Sequence, residues 1–383
     1  MNNVVSLPLP ATAARPATPP RLALLGTGNV GGAFVARCDA LRAAGVPLPA
    51  FAWLSNSRAL DPCSDHIPER ALERLRAAPA RQGPWSPWVE AEALRRGDIL
   101  VDASASDLVA GWHGEWLARG IHVVTANKLG NGADLLRAQA IVRAQRDGGA
   151  RYGDSATVGA GLPLLRSIRE LVAGGDRIHA VEGVLSGSLG WLFNHYDGER
   201  PFSDFVREAR DAGYTEPDPR IDLSGEDVRR KLLILARAAG LSLHPDDVRV
   251  ESLVPEALAR ADAVAVDGLL PSLDVPLRER RRQAERDGAR LRFVGRFEAD
   301  AAGGIVADVG LRALPADHAL CGGSGTDNRV AISSDRYREQ PLVVQGPGAG
   351  AEVTAAALLD DVIRIARLPQ ESRAPSSSKP SGA

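Results

Sequence analysis

Residues that could bind a substrate and transfer a proton are concentrated in residues 214–235, which read YTEPDPRIDLSGEDVRRKLLIL. Two prolines flank the acidic positions of the first half, so Glu216 is predicted to lie on an irregular loop. Ser224 is a favourable helix N-cap, and the apolar run after it predicts a helix. Asp227 and Lys231 are four residues apart and therefore share one helix face. The alternative is an ordinary surface ion pair worth about 0.3–0.5 kcal/mol.

Lysine is rare in this chain, and its positions are informative. Of the 46 basic residues, only Lys128, Lys231 and Lys379 are lysines. Arginine cannot release a proton near neutral pH, whereas a buried lysine can. Lys379 lies in a C-terminal segment rich in Ser and Pro, so two lysines remain in the folded body. We therefore predict that Lys128 and Lys231 occupy proton-transfer positions.

A glycine-rich turn follows the first apolar segment. Residues 21–25 predict a strand, and a helix is predicted from about residue 31 to residue 44. The spacing G-x-G-x-x-G permits a tight turn, close approach of the backbone to a pyrophosphate and close packing of helix on strand. The helix N-terminus then faces the phosphates. The residues predicted to bind a dinucleotide are Gly26, Thr27, Gly28, Asn29, Val30 and Gly31. The alternative is a glycine-rich turn in another α/β unit.

The end of the second predicted strand bears on the choice between NAD and NADP. This strand covers residues 49–54 and is followed by Ser-Asn-Ser and Arg58. An NAD-specific site places an acid there to bind the ribose 2′-hydroxyl. No acid occurs before Asp61, and Arg58 could bind a 2′-phosphate. The sequence therefore favours NADP, with NAD as the alternative. Arg58 could instead be a solvated loop cation with no role in binding.

Two further strands, residues 99–103 and 121–125, alternate with helices and predict a parallel sheet. Ligands bind beyond the carboxyl ends of such strands, where Ser104 and Lys128 lie. After residue 150 the pattern is a mixture of helices and strands. The predicted fold class is α/β, with a Rossmann-type doubly wound parallel sheet and a second α/β catalytic and dimerisation domain that contains a mixed sheet.

The domain boundaries follow from these patterns in a chain of 383 residues. We predict a disordered tail over 1–20, a dinucleotide-binding domain over 21–149, a substrate-binding and dimerisation domain over 150–341, a C-terminal segment over 342–368 that returns to the nucleotide domain, and a disordered tail over 369–383.

Composition excludes several classes of function. A net charge of −2 gives no electrostatic basis for binding nucleic acid or an anionic membrane. No apolar run approaches the ~20 residues of a membrane span, and the first 20 residues lack the pattern of a signal peptide. Cys38, Cys63 and Cys321 are odd in number and lack metal-binding spacing, so we expect reduced thiols and a cytoplasmic protein.

Five segments together resemble the landmark motifs of homoserine dehydrogenases: TANK, TVGAGLP, VLSGSLGW, GYTEPDPRIDLSGEDVRRKL and GPGAGAEVTA, in the same order. The resemblance covers about residues 21–368. It is greatest to the dehydrogenase half of bifunctional aspartokinase–homoserine dehydrogenases, here standing without a kinase. Fifteen residues follow Leu368, which is too few for the regulatory amino-acid-binding domain of some members, so threonine feedback through such a domain is expected to be absent.

The resemblance implies the reversible NAD(P)H-dependent reduction of L-aspartate 4-semialdehyde to L-homoserine, in threonine, methionine and isoleucine biosynthesis. It implies that Glu216 and Asp227 bind homoserine, with Asp222 as a further carboxylate for the substrate ammonium. Lys231 is the implied proton donor, and Lys128 lies near both nicotinamide and substrate; which of the two transfers the proton stays open. Further implied contacts are Gly213 and Gly350 with the cofactor, and Gly187, Ser188 and Tyr214 with the substrate.

The resemblance also implies a monovalent cation such as Na⁺, held by the backbone carbonyls of Val158, Ala160 and Leu162. The acidic residue that commonly accompanies them is replaced here by Ser155, with Asp154 one position earlier. A homodimer that pairs through the sheet of the second domain is a further expectation.

Other functions on a similar fold make different demands on the sequence. Aspartate-semialdehyde dehydrogenase needs a nucleophilic cysteine with a histidine partner, and no cysteine occurs between Cys63 and Cys321. A non-catalytic NADP-binding regulator on the same fold is the second alternative. The presence of Glu216, Asp227 and both lysines argues against it.

Overall fold

A computed structural model of the chain describes residues 19–80, 93–300 and 302–367, which build two six-stranded sheets. The strands are β1 Leu22–Leu25, β2 Phe51–Ser55, β3 Leu60–Asp61, β4 Ile99–Asp102, β5 His122–Thr125, β6 Tyr152–Gly153, β7 Ile178–Val184, β8 Val248–Val250, β9 Ala289–Ala299, β10 Ile305–Pro315, β11 Asp327–Ser334 and β12 Leu342–Pro347. Apart from residues 19 and 20, the two predicted tails lie outside the described residues.

The helices connect and cover the sheets. They are α1 Asn29–Ala43, α2 Pro68–Ala77, α3 Asp107–Ala118, α4 Leu135–Gly148, α5 Leu164–Ala173, α6 Gly187–His195, α7 Phe202–Asp211, α8 Arg220–Leu223, α9 Glu226–Ala238, α10 Glu256–Ala259, α11 Val266–Leu269, α12 Asp274–Arg286 and α13 Ala351–Ala366. None of the helices in the described part of the chain combines the length and apolar character that a membrane span requires.

The first sheet has the strand order β3-β2-β1-β4-β5-β6. All neighbours pair in parallel except the two-residue β3, which runs antiparallel to β2 at the edge. Side chains alternate between the faces, so Leu22 and Leu24 pack with α1 and α2 while Ala23 and Leu25 pack with α3 and α4. The Rossmann-type prediction is therefore confirmed, with an antiparallel edge strand that the sequence pattern did not indicate.

The chain leaves the first sheet at β6 and returns to it in α13. Leu358 and Val362 of α13 share a hydrophobic core with Leu22 and with Phe34 of α1. The turn at Gly350, which precedes α13, is thereby attached to the helix that begins at the glycine-rich turn.

The second sheet has the strand order β12-β11-β7-β9-β10-β8. It is mixed, because β10 and β8 pair in parallel whereas all other neighbouring strands of this sheet pair antiparallel. The predicted mixed sheet is confirmed. Helices α5, α6 and α9 cover one face and enclose the largest hydrophobic core. On the other face Arg296 of β9 pairs with Asp308 of β10 at 3.1 Å, and His318, in the loop after β10, lies 3.3 Å from Glu182 of β7.

Helix α9 begins slightly later than the sequence pattern predicted. Its N-cap is Gly225 at φ +80, and the Ser224 hydroxyl accepts a hydrogen bond from the Glu226 N–H at 3.2 Å. A Cβ atom on Gly225 would lie 2.9 Å from the Phe293 ring, so glycine meets both the backbone and the packing requirement. Asp227 is thus the second helical residue, where a carboxylate is stabilised by the helix dipole.

A histidine at the start of β5 makes stability depend on pH. Nδ1 of His122 accepts a hydrogen bond from the Arg151 N–H at 2.9 Å, and burial with the nearby Arg151 and Arg96 charges lowers its pKa from 6.5 to about 4. The unfolded chain therefore binds a proton that the folded chain does not between these pH values. We expect the free energy of unfolding to fall by about 3 kcal/mol as pH drops through this window.

Urea titrations at several pH values test this expectation. His122→Asn keeps a hydrogen-bond acceptor but cannot titrate, so its stability should fall less on acidification than that of the wild type. His66→Asn, at an exposed loop position, is the control. Equal acid sensitivity of the wild type and His122→Asn would contradict the assignment.

Candidate active site

Asp227 joins the two lysines of the folded body. The Lys231 ammonium lies 2.8 Å from Asp227 Oδ2, and the Lys128 ammonium lies 3.5 Å from Oδ1. Lys231 also donates a hydrogen bond to the Leu185 carbonyl at 2.7 Å. The pair predicted within α9 is therefore part of a three-residue cluster, and its third member comes from the loop after β5.

The cluster differs from a surface ion pair in burial and charge. The Lys231 side chain is 10 % exposed. Burial opposes ionisation of the Asp227 carboxyl group, but Lys231 and Lys128 outweigh it and hold the pKa of Asp227 well below its ordinary value. Asp227 is therefore ionised throughout the neutral range. An ionised carboxylate with two ammonium groups can bind a charged substrate and supply a proton.

Hydrogen bonds connect the loop that carries Glu216 to the start of α6. Asp222 Oδ2 accepts from the Glu216 N–H at 2.9 Å, and Oδ1 accepts from the Ser188 hydroxyl at 2.7 Å. The Ser188 and Ser186 hydroxyls are 2.9 Å apart, and Ser186 caps α6. Asp222 therefore holds two predicted substrate-binding residues, while the Glu216 side chain is left exposed.

An aromatic surface lies beside this loop. The Tyr214 ring is 5.5 Å from the Trp191 ring, which stacks on His195 at 4.4 Å. Tyr214 is 46 % exposed and thus accessible to a ligand. Gly187 is the first residue of α6, next to Ser186. Gly213 adopts φ +74 after α7, and no described contact joins it to the glycine-rich turn.

The glycine-rich turn lies at the point where the strand order reverses between β1 and β4. A Cβ atom on Gly26, at φ +91, would lie 2.8 Å from the Ala103 carbonyl, and one on Gly31 would lie 1.9 Å from the Gly26 oxygen. Both positions therefore require glycine. Helix α1 begins at Asn29, two residues earlier than predicted, and no side chain caps its first turn. Its free N–H groups form a site for phosphate.

The remaining residues of the turn complete this site. The Gly28 backbone borders open space, since a Cβ atom there would have no neighbour within 4 Å. The buried Thr27 hydroxyl accepts from the Asn56 side chain at 3.0 Å, which ties the turn to the end of β2. Val30 packs against the hydrophobic core of the sheet. The structure thus brings all six predicted residues together in a cradle that fits a dinucleotide pyrophosphate.

Two alanine substitutions separate the structural role of a glycine from its binding role. Gly31→Ala should lower the free energy of unfolding by about 3 kcal/mol, because its Cβ overlaps the Gly26 carbonyl. Gly28→Ala should leave stability within about 1 kcal/mol, because φ is −73° and the space is open. The same Gly28 Cβ should weaken NADP⁺ binding by about tenfold. Urea denaturation and calorimetric titration measure the two effects. A strongly destabilised Gly28→Ala protein would contradict the assignment of Gly28 to binding and not to stability.

Arginines surround the end of β2, and the nearest acid there is already paired within the protein. Asp61 accepts from the Arg74 guanidinium through both oxygens, at 2.6 and 3.0 Å, so it is engaged within the protein. The exposed Arg58 donates to the carbonyls of Arg76 and Ala78, at 3.0 and 3.4 Å. The Arg76 side chain itself reaches the first turn of α1, 3.4 Å from where a Gly32 Cβ would lie. Sequence reasoning missed Arg76, because it lies in a helix with no motif.

A buried polar network supports the loops after β4 and β5, and sequence reasoning did not identify it. Asp102, at the end of β4, accepts from the Ser104 N–H at 2.8 Å and from the Asn127 side chain at 3.0 Å. His113 Nε2 lies 3.0 Å from the same carboxylate, and its Nδ1 lies 3.0 Å from the Tyr152 hydroxyl. Asp102 thus fixes both Ser104 and the residue before Lys128. An acid at the carboxyl end of a strand was the only available signal.

The predicted cation loop has an uncommon backbone. Ala160 has φ +48, and the preceding Gly159 has φ +71. Non-glycine residues rarely adopt such values, and strained backbone of this kind clusters at active sites and ligand-binding loops. No N–H group in the described part of the chain donates to the carbonyl of Val158 or Ala160, whereas the Leu162 carbonyl accepts from Leu164 at 2.8 Å.

Side chains near this loop are already engaged. Both oxygens of the buried Asp154 accept from Arg169, at 2.6 and 2.9 Å. Ser155 donates to Asp361 of α13 through its N–H and its hydroxyl, each at 3.0 Å. Within the described residues no group of three or more His, Cys, Asp or Glu side chains could hold a metal ion. A cation at this loop would therefore depend on carbonyl oxygens.

The three cysteines do not offer a nucleophile. Cys38, Cys63 and Cys321 are unpaired and at most 3 % exposed. Burial raises the pKa of each thiol, to about 12 for Cys38. A thiol must ionise to attack a carbonyl carbon, so the thioester chemistry of an aspartate-semialdehyde dehydrogenase has no reactive cysteine here.

The chain matches known proteins over most of its length. A family model described as "Homoserine dehydrogenase" matches residues 163–363, and one described as "Homoserine dehydrogenase, NAD binding domain" matches residues 26–153. A homoserine dehydrogenase of Schizosaccharomyces pombe is 36% identical over 369 residues, which cover 93% of this chain and 97% of that protein.

Two further relatives extend this finding. A bifunctional aspartokinase/homoserine dehydrogenase 2 of Zea mays is 44% identical over 298 residues, 78% of this chain, and the match spans about a third (32%) of that longer protein. The crystal structure of a Candida auris protein of unknown function has a TM-score of 0.79 and 34% identity, and the match covers 90% of this chain and 98% of that one. On the two family models and the nearly full-length match to the S. pombe enzyme, the chain belongs to the homoserine dehydrogenase family.

Proposed function

We propose that this chain catalyses the reversible NAD(P)H-dependent reduction of L-aspartate 4-semialdehyde to L-homoserine, a step in threonine, methionine and isoleucine biosynthesis. Family membership supports this function. The observation that carries it is the convergence of Lys231 and Lys128 on the Asp227 carboxylate. A non-catalytic nucleotide-binding protein has no need for this cluster.

The lysines are the proposed acid–base groups. Bound nicotinamide supplies hydride to the aldehyde carbon and accepts it in the reverse direction. Negative charge then develops on the aldehyde oxygen, which needs a proton donor. Lys231 is oriented by the Leu185 carbonyl and Asp227, so its remaining N–H can point to the substrate. Lys128 contacts the same carboxylate and is the second candidate.

The carboxylates are the proposed ligands of the substrate ammonium. Glu216 is exposed and has no ion-pair partner among the described residues, so it is free to bind a cation. Asp227 provides a second negative charge. Asp222 is proposed to act mainly by positioning, since both of its oxygens hold Glu216 and Ser188. Tyr214, Gly187 and Ser188 are proposed to border the bound substrate.

NADP is the proposed cofactor, in preference to NAD. The cradle of Gly26 to Gly31 fits the pyrophosphate, with Ser104 beside it on the adjacent strand end. Arg58 after β2 and Arg76 beside the first turn of α1 are the proposed ligands of the 2′-phosphate, and Asp61 is engaged by Arg74 instead of being available to a 2′-hydroxyl. Gly350 and Gly213 are proposed to approach the cofactor from the second half of the chain.

A monovalent cation, a homodimer and a cytoplasmic location complete the proposal. The carbonyls of Val158 and Ala160, which accept from no described N–H group, and the carbonyl of Leu162 are the proposed Na⁺ ligands. The strand face opposite the helices of the second sheet is the proposed dimer surface, and light scattering at twice the chain mass of 40.4 kDa would support it. Three unpaired cysteines agree with a reducing compartment.

One assay tests the function. Purified protein should oxidise L-homoserine with NADP⁺ at a higher kcat/KM than with NAD⁺, and replacing Na⁺ with a large organic cation should lower the rate. Formation of NADPH is followed by its absorbance. A protein that binds NADPH but gives no turnover would disprove the proposal and support the non-catalytic regulator.

A further inference from the structure

A cavity lies away from the lysine cluster. It has a volume of about 920 Å³ and is bounded by α4, β6, α13, the C-terminal half of α9 and residues 240–242. Five arginines line it, with a single acid: Arg143, Arg151, Arg169, Arg237 and Arg364, and Asp361. We name it the arginine cleft. Neither the predicted substrate-binding residues nor the glycine-rich turn contributes to it.

The cleft carries excess positive charge. Arg169 is paired with Asp154 at 2.6 Å, and Arg364 is paired with Asp361 at 2.7 Å. No described carboxylate forms an ion pair with Arg143, Arg151 or Arg237. Arg143 and Arg151 therefore line the cavity as solvent-exposed cations without an ion pair in the described part of the chain, and the charge of Asp134 acts on the partly buried Arg237 from beyond ion-pair distance. Such an arrangement favours an anion, because guanidinium binds phosphate and carboxylate through paired hydrogen bonds.

Within the described ranges, Arg237 lacks a hydrogen-bond partner for one of its donor groups. It donates to the carbonyls of Asn131 and Leu243, while its buried Nε has no partner among the described residues. Burial lowers the pKa of this guanidinium to about 10. A buried N–H without an acceptor is unfavourable unless a ligand or water binds it. One residue that lines the cleft therefore has an unsatisfied donor, in addition to the excess of arginines over acids along the cleft.

The cleft shares two elements with the lysine cluster. Arg237 lies six residues after Lys231 on α9, about 9 Å along the helix axis. Ile234, between them, lines the cleft. Asn131, which accepts from Arg237, belongs to the loop that begins at Lys128, and this loop packs on α9 through Gly132. A ligand that moves Arg237 would thus act on both lysine-bearing segments.

We propose that the arginine cleft binds an organic anion with at least two negative charges, on phosphate or carboxylate groups, and that its occupancy changes the activity of the lysine cluster. The apolar wall formed by Leu135, Ala138, Ile234 and Leu241 accommodates the carbon skeleton of such a ligand. The binding part stands on the cleft alone; the coupling part rests on the proposed function.

Calorimetric titration of the NADP⁺-saturated protein tests binding. Saturation fills the pyrophosphate site, and constant ionic strength removes general screening effects. Inorganic pyrophosphate and citrate are titrated separately, which distinguishes a phosphate ligand from a carboxylate ligand. We expect at least one to bind, and the double variant Arg143→Gln/Arg151→Gln to bind it at least about tenfold more weakly.

The control is Arg146→Gln, which is exposed like Arg143 and lies on the same helix but outside the cleft, and which should bind like the wild type. Urea denaturation establishes that all variants are folded. Absence of binding by both anions, or equal affinity in the double variant and the control, would overturn the proposal. Homoserine oxidation, measured with and without the bound anion, tests whether occupancy of the cleft changes the activity of the lysine cluster. A kcat/KM that changes in the wild type but not in the double variant supports this coupling. An unchanged kcat/KM in the wild type refutes it. Because binding is measured without turnover, failure of the proposed function is distinguished from failure of this site.

Discussion

Replacing Lys231 with arginine is expected to lower kcat for homoserine oxidation by about 10²–10⁴-fold, the usual contribution of a general acid or base. Arginine keeps the positive charge and can still donate to Asp227 and to the Leu185 carbonyl, which lie 2.8 and 2.7 Å from the lysine ammonium. It cannot release its proton near neutral pH. The folded structure and NADP⁺ affinity should therefore survive while the chemical step fails.

Steady-state kinetics and calorimetric NADP⁺ titration measure these effects. Arg230→Lys, at the adjacent helical position, is the matched control, since it exchanges the same two residue types without altering the cluster. Lys128→Arg, assayed in parallel, decides which lysine transfers the proton: the larger fall in kcat identifies it. Normal turnover in Lys231→Arg would refute its acid–base role.

Replacing Asp227 with asparagine is expected to raise KM for homoserine by about 10²-fold and to reduce stability. The KM effect follows because a charge-assisted hydrogen bond to the substrate ammonium contributes about 1.5–3 kcal/mol. The stability effect arises because Lys231, 10 % exposed, loses its charge partner. Breaking a fully buried pair costs about 3–5 kcal/mol; Asp227 is 41 % exposed, so we expect about 1–3 kcal/mol.

The pH dependence of this stability loss has a definite sign. The pKa of Asp227 is lower in the folded protein than its ordinary value of 3.8, so its stabilising contribution is complete above that value and is lost as pH falls below it. The difference in unfolding free energy between wild type and Asp227→Asn should be constant from about pH 5 to pH 8 and shrink in stronger acid.

Urea denaturation across this range, with KM measured near neutrality, checks both effects. Glu226→Gln is the matched control, because the adjacent carboxylate pairs with Arg229 and lies outside the cluster. It should change KM little. A stability difference that already decreases between pH 8 and pH 5 would show that Asp227 titrates there, contrary to the electrostatics of the cluster.

Local patterns predicted much of this protein. The glycine spacing after β1, the pairing of Asp227 with Lys231 and the loop position of Glu216 each depend on residues within one turn or one helix. Steric limits on φ and the 3.6-residue helical period act over such short ranges, so the sequence alone was sufficient. The survival of two lysines in an arginine-rich chain indicated which distant segments to compare.

Other features were decided by packing between distant segments. The contact between Lys128 and Asp227, the use of both Asp222 oxygens within the protein and the approach of Arg76 to α1 have no local signature. The arginine cleft likewise combines residues from α4, α9 and α13.

The sequence by itself thus predicted which residues could carry the chemistry and indicated which short elements hold them. Only the tertiary structure decided which of these side chains meet, which are neutralised by a partner and which remain available to a ligand. The physical reason is range: backbone preferences act between near neighbours in the chain, whereas ion pairing and burial depend on how separate elements pack.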